Sequence, residues 1–185
     1  MIAVWACVLM LGGGVIAWAL GGQARISAAA DLKPGLAVCY IYEYVRHVDQ
    51  IAEWEKHRKC EPGAPLAILD YRVGEGTVLT STSKDGVMAK ITGFIHLDKA
   101  GAYKFAFESN DGVRLKIDGE LIVEDPDVHS DQYSDVGTME VASPGWYPLA
   151  IDYFERKGTS SLRFFWRPPG VEGNMPLVPA EAMAH

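Results

Sequence analysis

From about residue 86 onward the sequence alternates apolar and polar side chains with a period of two, and Gly, Pro, Asp and Asn interrupt the alternation at short, regular intervals. No other feature restricts the fold as much. A period of two puts every second side chain on one face of an extended strand, and short strands spaced in this way build an antiparallel sandwich or barrel. Tyr103, Phe105 and Phe107 alternate with Lys104, Ala106 and Glu108, and Leu115 and Ile117 alternate with Arg114, Lys116 and Asp118. Asp118-Gly119 then separates two strand-like runs. Both residue types tolerate the positive φ of a two-residue hairpin turn, so the strand is predicted to resume at Leu121–Val123. Tyr147, Leu149, Ile151 and Tyr153 alternate with Pro148, Ala150 and Asp152, and Leu162, Phe164 and Trp166 with Arg163, Phe165 and Arg167. Pro168-Pro169-Gly170 closes the last run, because two missing N–H donors cannot continue a ladder. The registers predict a core of Tyr103, Phe105, Phe107, Leu115, Ile117, Leu149, Ile151, Leu162, Phe164 and Trp166.

Upstream, Gly35–Tyr44 reads as an opening strand and Leu66–Tyr71 as a second. Asp49–Lys59 is the one helical stretch, with Asp49 as its N-cap and Ile51, Ala52, Trp54 and Glu55 on its first turns. The expected fold is therefore all-β, an antiparallel sandwich or barrel with one short helix near its N-terminal side. The domain is expected over 31–170, followed by a C-terminal tail at 171–185.

Met1–Gly22 is apolar and uncharged, and Ala28-Ala29-Ala30 fits a small-residue cleavage site before Asp31. Residues 1–30 read as a signal peptide. The apolar run is also long enough to remain as a membrane anchor, and in either case the domain is expected to be exported. Beyond this segment only Cys39 and Cys60 remain. An oxidising compartment would let this pair bridge, closing a loop of about 22 residues for roughly 3 kcal/mol in the chain-entropy model; two buried free thiols are the alternative. The formal net charge is −7, and one unit more negative without the leader's Arg25, with no basic block. That balance argues against a nucleic-acid partner.

Recognisable catalytic motifs are absent from the sequence: there is no nucleophile elbow, no zinc-binding helix signature and no phosphate-cradling glycine loop. His47, His57, His96, His129 and His185 are scattered singly. Asp125, Asp127, Asp131 and Asp135, with His129 among them, form an acidic stretch that could hold a hard cation, although it lacks the glycine and terminal glutamate of an EF-hand and also suits a solvated loop. Ser109-Asn110-Asp111-Gly112 lies between two strands; it reads either as a turn or as a pair of adjacent oxygen ligands on a connection at the mouth of the sandwich.

The order of several segments resembles the protective-antigen (PA-14) domain family of β-sandwich modules, of jelly-roll type. The segments are Gly93-Phe94-Ile95, Gly101–Phe105, Ser109–Leu115, Ile117-Asp118-Gly119, Pro144–Leu149, Asp152–Glu155 with Gly158, and Phe165–Gly170. They cover about residues 90–170, and Gly35–Tyr44 fits the opening strand more loosely. The resemblance implies a noncatalytic module with carbohydrate binding as its usual role. In the calcium-dependent lectin branch, two successive aspartates joined by a cis peptide, with an asparagine from a later loop, hold calcium that binds sugar hydroxyls. Here Asn110 stands at the first aspartate position, Asp111 matches the second and Glu155 falls near the asparagine. The implied metal set is thus Asn110, Asp111 and Glu155. Asn110 offers a neutral carbonyl where a carboxylate would carry charge, and Glu155 restores a negative ligand.

These readings converge on an exported, noncatalytic module for a glycan or another cell-envelope polymer, assisted by calcium. Asn110 and Asp111 would contact the ligand, and Tyr133 and Phe154 are candidate stacking platforms because they lie in a polar loop and off the core register. The alternative is a structural or protein-interaction module whose partner is another envelope protein. A glycoside hydrolase working through two carboxylates is a third reading, requiring a raised pKa and a deep cleft.

Overall fold

The computed structural model describes residues 31–185; the expected signal peptide and its expected cleavage site lie outside the described residues. Two antiparallel sheets face one another. The elements are β1 (Ala37–Tyr42), α1 (Asp49–Glu55), β2 (Glu61–Pro62), β3 (Asp70–Gly74), β4 (Val87–Leu97), β5 (Gly101–Asn110), β6 (Val113–Ile117), β7 (Glu120–Asp125), β8 (Gln132–Tyr133), β9 (Gly137–Val141), β10 (Gly145–Glu155), β11 (Ser160–Arg167) and β12 (Met183–Ala184). The larger sheet runs β2-β1-β4-β10-β6-β7, with β12 also on β4; the smaller runs β3-β11-β5-β8, with β9 also on β5.

All ten residues expected in the core are buried, because alternation points one face of each strand at the opposite sheet. Phe107 and Phe164 stack at 4.6 Å between ring centroids, and Phe105 and Tyr103 extend the layer toward Trp166. The turn between β6 and β7 has Asp118 and Gly119 at positive φ, as the hairpin reading requires. Cys39 and Cys60 form a disulfide with a Cα separation of 5.5 Å, joining β1 to the segment that leads into its neighbour β2.

Three local expectations are corrected. The strand expected over Leu66–Tyr71 is β3 and begins only at Asp70, and Leu66 instead forms an isolated bridge with Leu36. The helix is shorter than expected, ending at Glu55 where Lys59 was expected, and Val48 occupies the N-cap position with Asp49 as the first helical residue. Its carboxylate bonds Arg114 on β6 at 2.5 Å in place of capping the helix. The segment 171–185, read from the sequence as a tail, returns to the sandwich. Met183 and Ala184 pair with Ile95 and Phe94, and Val178, Ala182 and Met183 are buried.

The helix lies against the outer face of the larger sheet. Ile51 packs in a second apolar cluster with Ile41, Val45, Val48, Met88 and Phe154. This roof covers one end of β1, β4 and β10, the end at which the connections described next converge.

Candidate functional site

The pairing of Val87 with Tyr42 and Glu155, and of Val113 with Tyr153 and Asp125, brings several connections to one end of the sandwich. These are the 110–112 turn, the 126–131 segment, the 156–159 connection and residues 83–86. The turn is fixed tightly. The Asn110–Asp111 peptide is cis, the Tyr153 hydroxyl donates to the Asn110 carbonyl at 2.6 Å, and the Asp111 N–H donates to the Phe154 carbonyl. Gly112 is required by space: a Cβ there would lie 2.6 Å from the Phe154 ring and 2.8 Å from the Pro126 carbonyl oxygen.

Asp111 joins three of these connections. Its Oδ1 accepts the backbone N–H of His129 at 3.1 Å, and its Oδ2 accepts that of Arg156 at 2.7 Å. Burial raises its pKa above the usual carboxylate value, and the two N–H donors oppose that rise. Asn110 is buried beside it and donates from its amide to the Thr159 hydroxyl. Both residues therefore sit in a packed turn.

Glu155 is the unusual group. It continues the inward register of Tyr147, Leu149, Ile151 and Tyr153, so the strand delivers a carboxylate into the end of the core, where it is fully buried. Neither of its oxygens has a hydrogen-bond partner among the described residues. Burial, then repulsion from Asp85 and Asp111, pushes its pKa up to about 8; the Gly86 N–H, which already donates to the Arg156 carbonyl, opposes this only weakly. An unpartnered buried carboxylate beside two others is costly unless it is protonated or meets a cation. Asn110, Asp111 and Glu155 thus present the oxygen chemistry that suits a hard cation. Among the described residues no three His, Cys, Asp or Glu side chains converge as a metal cluster by themselves, so backbone carbonyls and water would have to complete any shell.

The other expected residues fall elsewhere. Phe154 is a correction: it points off the core register, as its position in the alternation implies, but α1 covers that face and buries it completely. It offers no surface for stacking. Tyr133 is 65% exposed, on the outer face of the smaller sheet opposite Glu108, and it lines a cavity that includes none of Asn110, Asp111 and Glu155. The acidic stretch is dispersed into separate contacts: Asp125 accepts from Gln132 and faces His129, while Asp131 accepts from Ser161. Sequence reasoning missed Asp85, whose place beside Glu155 depends on a long connection. It also passed over Phe165, although an outward-facing Phe between Arg163 and Arg167 was visible in the alternation.

A family model for the PA14 domain matches residues 73–177, more than half of the chain. Anti-sigma-I factor RsgI3 of Acetivibrio thermocellus is 28% identical over 104 residues, covering 53% of this chain and only 15% of that protein's length. Among solved structures, the PA14 domain of the MpAFP antifreeze protein superposes with a TM-score of 0.71 at 14% identity, over 88% of this chain and 96% of that one. A PA14 sugar-binding domain from an RTX adhesin does so with a TM-score of 0.64 at 19% identity, over 82% and 98%. At these identities the structural likeness establishes a shared fold.

Proposed function

The chain belongs to the PA14 domain family, and from that membership we propose that it is an exported, noncatalytic module binding a glycan or another cell-envelope polymer, with calcium assisting at the end of the sandwich that holds Asp111 and Glu155. The observation that carries the calcium part is the fully buried Glu155 carboxylate, unpartnered among the described residues and beside Asp111. Asn110, Asp111 and Glu155 are the residues that would hold the ion. When bound, calcium supplies open coordination positions for vicinal sugar hydroxyls. The chain's own part is to present the ligands: the paired N–H groups of His129 and Arg156 orient Asp111, and the β10 register delivers Glu155. The disulfide supports an oxidising destination, and none of the helices among the described residues is long and apolar enough to cross a membrane. The likeness to a sugar-binding adhesin domain supports the ligand class.

Calorimetric titration with calcium, paired with a glycan array run with and without chelator, tests the reading. Millimolar calcium is expected to bind, and Asp111→Ala to abolish that binding. Absence of both calcium uptake and glycan capture would sink the proposal.

A second reading is favoured by a specific observation. Asn110 and Asp111 are packed and hydrogen-bonded to the backbone of neighbouring connections, as suits a turn that ties loops together in a structural or protein-interaction module of the envelope. Recovery of an envelope protein that sugars do not displace would select it.

A further inference from the structure

The outer face of the smaller sheet carries a cavity of about 430 Å3 lined by Ala106, Tyr133, Ser134, Val136, Phe165, Asn174 and Met175. Its origin is in the register. Ala106 lies directly opposite Phe165 on β11, and one pair further along Glu108 lies opposite Tyr133 on β8. The small side chain of Ala106 lets the rings of Tyr133 and Phe165 approach to 5.8 Å between centroids, inclined at 51°, so that together they form one aromatic side of the cavity. The returning segment closes the opposite side, because Leu177 bridges to Phe165 and so brings Asn174 and Met175 alongside.

None of the lining residues is charged. Of the charged groups on the pairs flanking Ala106 and Phe165, Arg163 bonds Asp70 at 2.6 Å and Glu108 at 2.8 Å, Arg72 also bonds Glu108, and Arg167, which lies opposite Lys104, donates to the Gly173 carbonyl. The guanidinium of Arg163, held in this way, lies 5.1 Å from the centre of the Phe165 ring and fixes that wall. Tyr133 and Val136 are more than half exposed, and Asn174 is exposed at the rim. A preformed hollow of this size, mainly apolar with a few polar groups, has the character of a small-ligand site.

We propose that this cavity is a second, calcium-independent binding site for a neutral saccharide. Its chemistry matches such a ligand on both sides. The apolar C–H face of a pyranose ring packs on an aromatic wall, and its hydroxyls pair with the Tyr133 hydroxyl and the Asn174 amide. A wholly apolar partner would leave those polar groups unpaired on burial. A charged sugar would meet no opposite charge in the lining. The inference rests on the reading of the chain as a carbohydrate-binding module only for its ligand class; its location and its indifference to calcium are independent of that reading.

The test is calorimetric titration of the purified protein with cello-, xylo-, manno- and galactotetraose, each in calcium and in chelator. At least one tetraose is expected to bind with an affinity unchanged by chelator. Tyr133→Ala and Asn174→Ala, both at exposed positions and checked for an unchanged thermal midpoint, are expected to weaken that binding at least about tenfold, with Tyr133→Trp restoring it. Binding that chelator removes and Tyr133→Ala leaves unchanged would overturn the outer-face site while supporting the calcium-assisted end. Binding that survives chelator and fails in Tyr133→Ala would support the outer-face site even if no calcium is taken up. Capture of none of the four in either condition would overturn the outer-face site.

Discussion

At the scale of single residues, Glu155 sets the clearest expectation. Its folded-state pKa of about 8 stands well above the ordinary carboxyl value of 4.5, so between those values the folded protein keeps a proton that the unfolded chain releases. The stability that Glu155 contributes in chelator is therefore fullest below about pH 4.5 and is lost as pH rises through about 8. Glu155→Gln preserves the shape and removes the charge. Thermal melts in chelator at about pH 5, 6.5 and 8 should show a steep decline for the natural protein and a shallower one for the variant, with the variant several degrees more stable at the alkaline end. Some slope should remain, because burial raises Asp111 in the same direction. An unchanged slope would mean that Glu155 does not carry the pH dependence. The burial of Glu155 was legible in the sequence, since it continues the inward series of β10. Its lack of a partner was not, because that depends on which loops cover the strand end.

Among the elements, the long central strand β4 shows how space at one residue decides pairing at another. Gly93 lies where β4 meets the returning chain; a Cβ there would sit 2.3 Å from the Ala184 carbonyl oxygen and 2.8 Å from Leu36. Gly93→Ala should push β12 off β4 and destabilise the fold by about 1–3 kcal/mol. Amide hydrogen exchange should localise the loss of protection to residues near 183–185, and unaltered protection there would count against this account. The helix teaches a related lesson. Its amphipathic stretch was visible in the sequence, but the Asp49 carboxylate expected to cap it is bonded by Arg114, 65 positions away. Capping rules use local partners only, so a distant ion pair at the first turn escapes them.

For the whole molecule, the segment 171–185 is part of the sandwich. Val178, Ala182 and Met183 are buried against the main core, so truncation after Gly170 should expose apolar surface, lower the thermal midpoint by several degrees and increase binding of a hydrophobic dye. A truncated chain that melts with the full one would refute this. The sequence by itself determined an antiparallel all-β fold, its core and the hairpin at Asp118-Gly119, and it singled out Cys39 and Cys60 as the pair able to bridge. These follow from rules that act over a few residues, or over the two cysteines found beyond residue 30. Only the tertiary structure decided that α1 covers Phe154, that Asp85 and Asp111 lie beside Glu155, and that Ala106, Phe165 and the returning chain frame a cavity around Tyr133. The physical reason is that alternation assigns a side chain to a face of its own strand, whereas what lies over that face is set by packing between segments far apart in the chain.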